Sequence, residues 1–462
     1  MHKVRLNNRI IEAAHGTILS DILIKSGNSL PHPCGGKGIC KKCQVWVNGK
    51  NELSCQYKIQ SDIYVALPEI SEIHSEAGTD ESGEITDNCC LCLDIGTTTL
   101  ALALVSLDEK KIIKVKTATN PQRAYGSDVI TRIEYCSKNG VADLQKCLID
   151  TINNLISEFE IDKIEKMYVA GNTAMLHIFF GIDPSSMGVA PYTPTFLESK
   201  EVQGKELGLR NIKNIASLPC ISAFVGADLV AGVNYADLPK GNKYNLLIDL
   251  GTNAEIVLYN KSNIFCTSAA AGPCFEGGNI TSGMSATDGA IYSFSDNSEY
   301  KTINNTKPQG ICGTGLIDII SVLFKNGVID ETGYMEKGEF FITESVKFTQ
   351  NDIRQFQLAK SAVYSALQAV LEEKSISFTD IENTFISGGF SAKINIDNAT
   401  NLGLIPRELK DKITVLNNSS LLGTIKYACE GNDSSFYTQN AEYIDLSTNT
   451  RFMDLFIENM EF

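Results

Sequence analysis

The chain has no surplus of basic charge: 40 Lys and Arg stand against 55 Asp and Glu in 462 residues, giving a net charge of −15 and a pI near 4.9. Nucleic-acid binding draws much of its affinity from Lys and Arg on phosphates, so no nucleic-acid partner is expected. No apolar run reaches the length that would cross a bilayer, so no membrane span is expected either. A leader with a basic start and an apolar core is also missing, which points to a reducing, cytoplasmic setting and against a disulfide framework for the 14 cysteines. Ten of them are scattered and read as small buried hydrophobes. Cys89, Cys90 and Cys92 look like a metal cluster, but LCLDIG is a strand pattern whose alternation sends Cys90 and Cys92 to one face and Cys89 to the other. At this length, with 43% hydrophobic and 21% charged residues, about three ordinary domains are expected.

What is present begins with four cysteines, Cys34, Cys40, Cys43 and Cys55, in PHPCGGKGICKKCQVWVNGKNELSCQ. Three thiols on a glycine-rich loop with a fourth returning from a later segment suit a [2Fe-2S] cluster, which needs four thiolates and a compact backbone. The spacing C-x5-C-x2-C-x11-C is one residue longer in its first gap than the plant-type pattern, and Gly35, Gly36 and Gly38 can absorb the extra residue. The competing reading is a structural zinc, but zinc ribbons show two short C-x2-4-C pairs and only Cys40 and Cys43 form one here. His32 is read as loop structure, since four cysteines already suffice. KVRLNN and RIIEAA read as a hairpin, and GTILSDILIKSG as a helix begun at Thr17 with Ile18, Leu19, Ile22 and Leu23 on one face. Hairpin, helix and cysteine loop resemble the α+β β-grasp fold of [2Fe-2S] ferredoxins, over residues 1–68. The stretch PEISEIHSEAGTDESGEITDN then reads as a flexible acidic linker, 69–88, able to reach about 60 to 70 Å if extended.

The remainder, 89–462, declares itself at LCLDIGTTTLALALVSL, in which two apolar strands flank a turn carrying Asp94, Gly96, Thr97, Thr98 and Thr99. The pattern returns at NLLIDLGTNAEIVLYN with Asp249, Gly251, Thr252 and Asn253. Such a turn aims backbone N–H groups and threonine hydroxyls at one spot, a nest for phosphate oxygens, with the aspartate placed to hold Mg2+ through water. One D-x-G-T turn is a weak signal, because Asp and Gly are common hairpin connectors. Two of them, each followed by an apolar strand, are the internal repeat of a two-lobed fold. NTFISGGFSAKINID adds Gly388 and Gly389 after a short strand, where bare backbone can lie against a nucleoside, and SLLGTIKYACE is a small-residue helix suited to a hinge. With the helices VGADLVAGVNYA and NDIRQFQLAKSAVYSALQAVLEEK, these pieces resemble the superfamily of actin, sugar kinases and heat-shock chaperone ATPases. That resemblance implies an α/β RNase H-like pair of lobes with ATP between them: lobe I about 89–240 plus a C-terminal return, lobe II about 241–418.

Four further stretches, 120–133, 169–196, 268–291 and 310–320, are dense in Gly, Asn, Asp and Thr at strand ends. Together with the cysteine module on the same polypeptide and the closing AEYIDLSTNTRFMDLFIENMEF, they resemble the reductive activators of corrinoid proteins along essentially the whole chain. Members of that family can carry an additional domain between the two parts, where this chain has only the linker. The resemblance implies ATP-dependent return of one electron to an inactive Co(II) corrinoid, restoring Co(I), with a corrinoid protein and a low-potential electron donor as partners. It leaves the oligomeric state open, a homodimer being one state it allows. Cys34, Cys40, Cys43 and Cys55 would hold the cluster, and Asp94 and Asp249 the Mg2+ water shell. Thr97, Thr98, Gly251, Thr252 and Asn253 would cradle phosphates, with Gly171, Asn172 and Thr173 lining the γ-phosphate pocket and Gly388 and Gly389 facing the nucleoside. Asp228 and Glu255 are alternatives for orienting the attacking water, against the plainer reading of capping or surface carboxylates. His177, among Leu176, Ile178 and Phe179, is read as core. Two rival functions remain, because this superfamily does not fix an activity: a small-molecule kinase with an appended redox module, and an ATP-dependent binding protein whose cluster is structural.

Overall fold

The computed structural model describes residues 1–6, 9–26, 30, 36, 38, 43–67, 81–126, 128–239, 241–389, 391–431 and 435–462. The first sheet has five short strands, β1 (His2–Leu6), β2 (Arg9–Ala13), β3 (Gln44–Val47), β4 (Lys50–Leu53) and β5 (Ile63–Ala66), in the order β2-β1-β5-β3-β4. β1 pairs parallel with β5 and antiparallel with β2, giving a mixed sheet. One face alternates into a core of Val4, Leu6, Val45, Val47, Ile63 and Val65, closed by Leu19, Ile22 and Leu23 of the helix Leu19–Lys25. That helix starts two residues later than the expected Thr17. The Thr17 carbonyl accepts from Ile59 N–H (2.9 Å) and Ile18 bridges to Lys58, so strand-like pairing holds this backbone before the helix can begin.

Two larger sheets follow. β6 (Cys89–Ile95), β7 (Thr99–Ser106) and β8 (Lys111–Thr119) form an antiparallel meander, to which β9 (Ile164–Gly171) and β11 (Ile212–Ser217) add in parallel on the β6 side, with β10 (Glu201–Gln203) at the edge. The third sheet repeats the plan. β12 (Tyr244–Leu250), β13 (Ala254–Tyr259) and β14 (Ile264–Ala269) form the meander. Between meander and crossover lie a small sheet of β15 (Ala290–Phe294), β16 (Tyr300–Thr302) and β17 (Gly310–Ile311) and a hairpin of β18 (Glu339–Phe341) and β19 (Lys347–Thr349). β20 (Ile381–Ser387) and β21 (Ile413–Val415) then join in parallel, and β22 (Ala441–Tyr443) lines the far side of β14. Leaving aside the edge strands β10 and β22, both sheets therefore read third, second, first, fourth, fifth from one side to the other. β6, β7, β12 and β13 are apolar on both faces because helices cover both.

The two plans are joined by a crossing of the helices Ala227–Ala236 and Ser419–Glu430. A β-carbon at Gly423 would sit 1.8 Å from the Ala231 carbonyl oxygen, so the backbones meet with no room for a side chain. Asn234 Nδ2 donates to the Gly423 carbonyl at 3.0 Å and fixes the register. Cys90 and Cys92 pack together with Leu421 and Ile425 under the second of these helices, while Cys89 faces the other core, as strand alternation requires. Of the expected linker, residues 69–80 lie outside the described residues. Residues 81–88 run beside β8, where Gly83 N–H donates to the Ile112 carbonyl (3.0 Å) and Val115 N–H to Glu81 Oε1 (3.0 Å). Among the described residues no helix is long and apolar enough to cross a membrane.

Candidate functional site

Each meander turns at its D-x-G-T sequence, the first with four residues between the paired Ile95 and Leu100, the second with three between Leu250 and Ala254. Gly96 N–H donates to the Thr99 carbonyl (3.0 Å), and Gly251 N–H to the Asn253 carbonyl (2.9 Å). Asp94 and Asp249 stand on the first strand of each sheet, just before the turn. Each accepts a serine hydroxyl: Ser420 Oγ donates to Asp94 Oδ1 at 2.7 Å, and Ser387 Oγ to Asp249 Oδ2 at 2.6 Å. Ser420 sits at the start of the Ser419–Glu430 helix, and Asp228 holds the matching place at the start of Ala227–Ala236.

Four carboxylates meet here. Burial pushes Asp94 up to about 6, opposed by Ser420 and reinforced by the charge of Asp249. Asp228 is pushed up to about 7 by burial and by repulsion from Asp249 and Asp94. Burial raises Asp249 against the Ser387 hydrogen bond, and it raises Glu255 well above the carboxylate range, with Asp249 and Asp228 adding to the effect. Four acids raised by burial in one cleft, three of them also by the charge of another of the four, form a site that a cation would stabilise. Among the described residues no three His, Cys, Asp or Glu side chains converge tightly enough to ligate a metal directly.

The other expected residues are placed as follows. Thr97, Thr98 and Thr99 lie on the first turn and at the start of β7, and Thr252 on the second turn, where its carbonyl accepts from Gly272 N–H (2.9 Å). Gly171 ends β9, and a β-carbon there would meet the Ile95 carbonyl oxygen at 2.8 Å. The side chains of Asn172 and Thr173 are turned inward: Asn172 Oδ1 accepts from Ala174 N–H (3.0 Å) and Thr173 Oγ1 donates to the Ser222 carbonyl (2.6 Å). Those two oxygen atoms are thereby engaged within the protein. Gly388 has φ +115 and no space for a β-carbon, which would stand 2.0 Å from the Leu250 carbonyl oxygen, whereas Gly389 has open space beside it. His177 is a core residue. Its Nδ1–H donates to the Thr173 carbonyl (2.8 Å), its Nε2 accepts from Thr195 N–H (3.0 Å), and it stacks on Phe196.

Several residues of this site were not singled out from the sequence. Asn120 Nδ2 donates to the Gly96 carbonyl (2.7 Å), and Asn120 N–H to the Thr98 carbonyl (2.8 Å). Arg132, fully buried, donates to the carbonyls of Thr97 (2.5 Å) and Gly126 (3.0 Å) and to Gln122 Oε1 (3.2 Å). Asn120 and Arg132 thus hold the first turn open. Their stretch was marked by its Gly, Asn, Asp and Thr content, which says nothing of a guanidinium. Ser387 could have been found, since it directly precedes the glycine pair.

In the first sheet, Cys43 and Cys55 are both buried and bring their sulfur atoms to 3.2 Å, with no disulfide between them. Gln56 Nε2 donates to the Gly36 carbonyl (2.6 Å), tying the glycine loop to the segment that carries Cys55. Gly36 and Gly38 take φ +78 and +75, the left-handed turns the loop needs. Two thiols converging under such a loop fit half of a [2Fe-2S] ligand set. Cys34 and Cys40 lie outside the described residues.

Comparison with known proteins follows this division. The family profile described as "RACo middle region" matches residues 89–241, and that described as "C-terminal domain of RACo the ASKHA domain" matches 243–462. The "Corrinoid activation enzyme RamQ" of Eubacterium limosum is 25% identical, over 98% of this chain and 97% of its own length. The "[Co(II) methylated amine-specific corrinoid protein] reductase" of Methanosarcina barkeri is 27% identical, over 72% of this chain and 68% of its own. A solved structure titled "Reductive activator for corrinoid,iron-sulfur protein" superposes with a TM-score of 0.72 at 26% identity, covering 100% of this chain and 98% of that one. The repeated sheet, the paired turns and these matches together place the chain in the family of reductive activators of corrinoid proteins.

Proposed function

We propose that this chain is an ATP-hydrolysing redox activator. It passes one electron from a [2Fe-2S] cluster on Cys34, Cys40, Cys43 and Cys55 to the Co(II) corrinoid of a methyl-transferring corrinoid protein, restoring Co(I). The observation that carries the reading is the convergence of two D-x-G-T turns and four carboxylates in one cleft, on a chain that also brings the sulfur atoms of Cys43 and Cys55 to 3.2 Å. When bound, the cluster supplies a one-electron carrier, near −400 mV for plant-type centres. A Co(II)/Co(I) couple is expected to lie lower, and a gap of about 100 mV costs about 2.3 kcal/mol per electron, small beside ATP hydrolysis.

The cleft residues divide the remaining work. Asp94 and Asp249 hold the water shell of Mg2+, one from each sheet. The backbone of Gly96–Thr98 and Gly251–Asn253 takes the β and γ phosphates, and that of Gly171–Thr173 borders the γ-phosphate pocket. Gly388 and Gly389 let the nucleoside approach the end of β20. Asp228, held up to about 7, is partly protonated at neutral pH and suited to orient and deprotonate the attacking water, with Glu255 beside it. ATP need not touch the cluster. Closure of the cleft moves the crossed helices, and a partner that binds the closed form more tightly is thereby held in a form easier to reduce.

The test follows cobalt absorbance under anaerobic conditions with a low-potential donor, adding ATP, ADP or a non-hydrolysable analogue. Co(I) should accumulate only with ATP. Asp94→Asn and Asp249→Asn should each slow ATP hydrolysis by at least about tenfold and leave the visible spectrum unchanged. Equal Co(I) without nucleotide overturns the coupling.

A further inference from the structure

The cleft is crowded with negative charge. All four of its carboxylates are raised by burial, three of them also by the charge of another of the four, and none has a Lys or Arg among the groups acting on it. A nucleotide bound there with Mg2+ still carries net negative charge, so some cation of the chain must face it. Arg132 is already committed to the Thr97 and Gly126 carbonyls.

The repeat supplies a candidate. In each half, the third meander strand is followed by a short 3-10 turn headed by proline, Pro121–Ala124 after β8 and Pro273–Glu276 after β14. The first carries Arg123 and the second Glu276, and each of these opposite charges acts on the other. Arg123 is anchored close to the first phosphate turn, its N–H donating to the Asn120 carbonyl (3.2 Å) while Asn120 holds Gly96. Glu276 lies against the second turn, where a β-carbon at Gly251 would stand 3.8 Å from its Oε1. The Arg123 side chain, half-buried, makes no hydrogen bond or ion pair to any described residue. Ordering a guanidinium near acids without closing an ion pair leaves its five donors available to an incoming group.

Sheet order says which part of the nucleotide that group is. In the third sheet β20, with Gly388 at its end, flanks β12 on one side, and β13 and β14 lie on the other. The nucleoside and the Arg123–Glu276 pair therefore sit on opposite flanks of the phosphate turns, and the group farthest from the nucleoside is the terminal phosphate. Resting on the nucleotide reading above, we infer that Arg123 binds the terminal phosphate of ATP across the two lobes and that Glu276 positions it. Arg123 is then the residue by which the cleft tells ATP from ADP, since a planar guanidinium pairs with a phosphate through two parallel bonds and an ammonium does not.

The experiment is calorimetric binding of ATP and of ADP, with Mg2+, to the full chain and to its Arg123→Gln, Arg123→Lys and Glu276→Gln variants. Arg123→Gln should weaken ATP at least about tenfold and ADP less than about threefold, as loss of a charge-assisted pair to one phosphate group requires. Arg123→Lys, which keeps the charge and loses the fork, should fall between, and it serves if the Gln variant does not fold. Glu276→Gln should shift the ATP to ADP ratio the same way by a smaller factor. An unchanged ratio in both Arg123 variants, or equal loss of the two nucleotides, overturns the inference while leaving the cleft a nucleotide site. Failure of the unaltered chain to bind either nucleotide would remove the nucleotide reading itself.

Discussion

Replacing Gly423 by Ala tests whether the crossing of the two central helices sets the geometry of the cleft. In an exposed helix this change gains about 0.5–1 kcal/mol, because glycine loses more backbone freedom on folding. Here the added carbon would fall 1.8 Å from the Ala231 carbonyl oxygen, a backbone atom that cannot rotate away. Ordinary contact lies near 3.5 Å, so the helices must separate by roughly 1.5 Å. Overpacking of that kind costs about 1–3 kcal/mol, which exceeds the helix gain, so net destabilisation of about 1–2 kcal/mol is expected. The larger effect is local. Ser420 lies three residues before Gly423 and donates to Asp94 at 2.7 Å, and Asp228 lies three residues before Ala231 on the partner helix. A displacement of over 1 Å at the crossing breaks the Ser420 bond and misplaces a carboxylate, and misplacement on that scale can cost about a hundredfold in rate. ATP turnover measured below the melting transition, beside thermal unfolding followed by circular dichroism, separates the two effects. A variant as stable and as active as the unaltered protein would refute the close crossing.

Two more outcomes follow from the chemistry of each part. The purified protein should be brown with two irons, and Cys55→Ser should lose colour and iron together; a colourless protein carrying one zinc would refute the cluster. Asp94 and Asp228 titrate at about 6 and about 7, above the usual carboxylate range, so their contribution to folded-state stability is fully present below about pH 4 and is lost as pH rises through 6 to 7. A bound cation favours the ionised forms, so the melting-temperature increase from Mg2+ and ATP should be larger at pH 8 than at pH 6. An increment independent of pH would mean that these acids do not meet the metal.

How far the fold could be read from the sequence depended on whether a feature is local. The two D-x-G-T turns, the apolar strands beside them and the glycine pair are contiguous patterns, and each lies in the structure at the end of the strand that carries it. The alternation of Cys89, Cys90 and Cys92 was legible for the same reason. What was not legible is long-range. Ser420 is 326 residues from the aspartate it serves, and Ser387 is 138 from its own. A serine at a helix start reads as a cap until the partner strand is known. Arg123 and Glu276 belong to segments whose glycine and asparagine content drew notice, but only the matched 3-10 turns after the third strands reveal them as counterparts. The start of the Leu19–Lys25 helix was missed because Thr17 and Ile18 are recruited by residues 58 and 59, beyond any local window.

The repeat also explains how a small event in the cleft could reach a distant partner. Each central helix begins beside the aspartate of the opposite sheet: the charge of Asp249 raises Asp228, and Ser420 bonds Asp94. The helices are therefore exchanged between lobes, and each lobe's aspartate is read by a helix rooted in the other. Neither helix can follow its own sheet without moving the other lobe's acid, because Gly423 and Ala231 leave no gap at the crossing and Asn234 bonds the Gly423 carbonyl. A cation held between Asp94 and Asp249 would relieve the repulsion by which Asp249 raises Asp94. Packing this tight moves between discrete arrangements rather than deforming smoothly. A cleft of this construction is thus suited to switching a remote docking surface, and less suited to the graded closure that a small substrate alone would require.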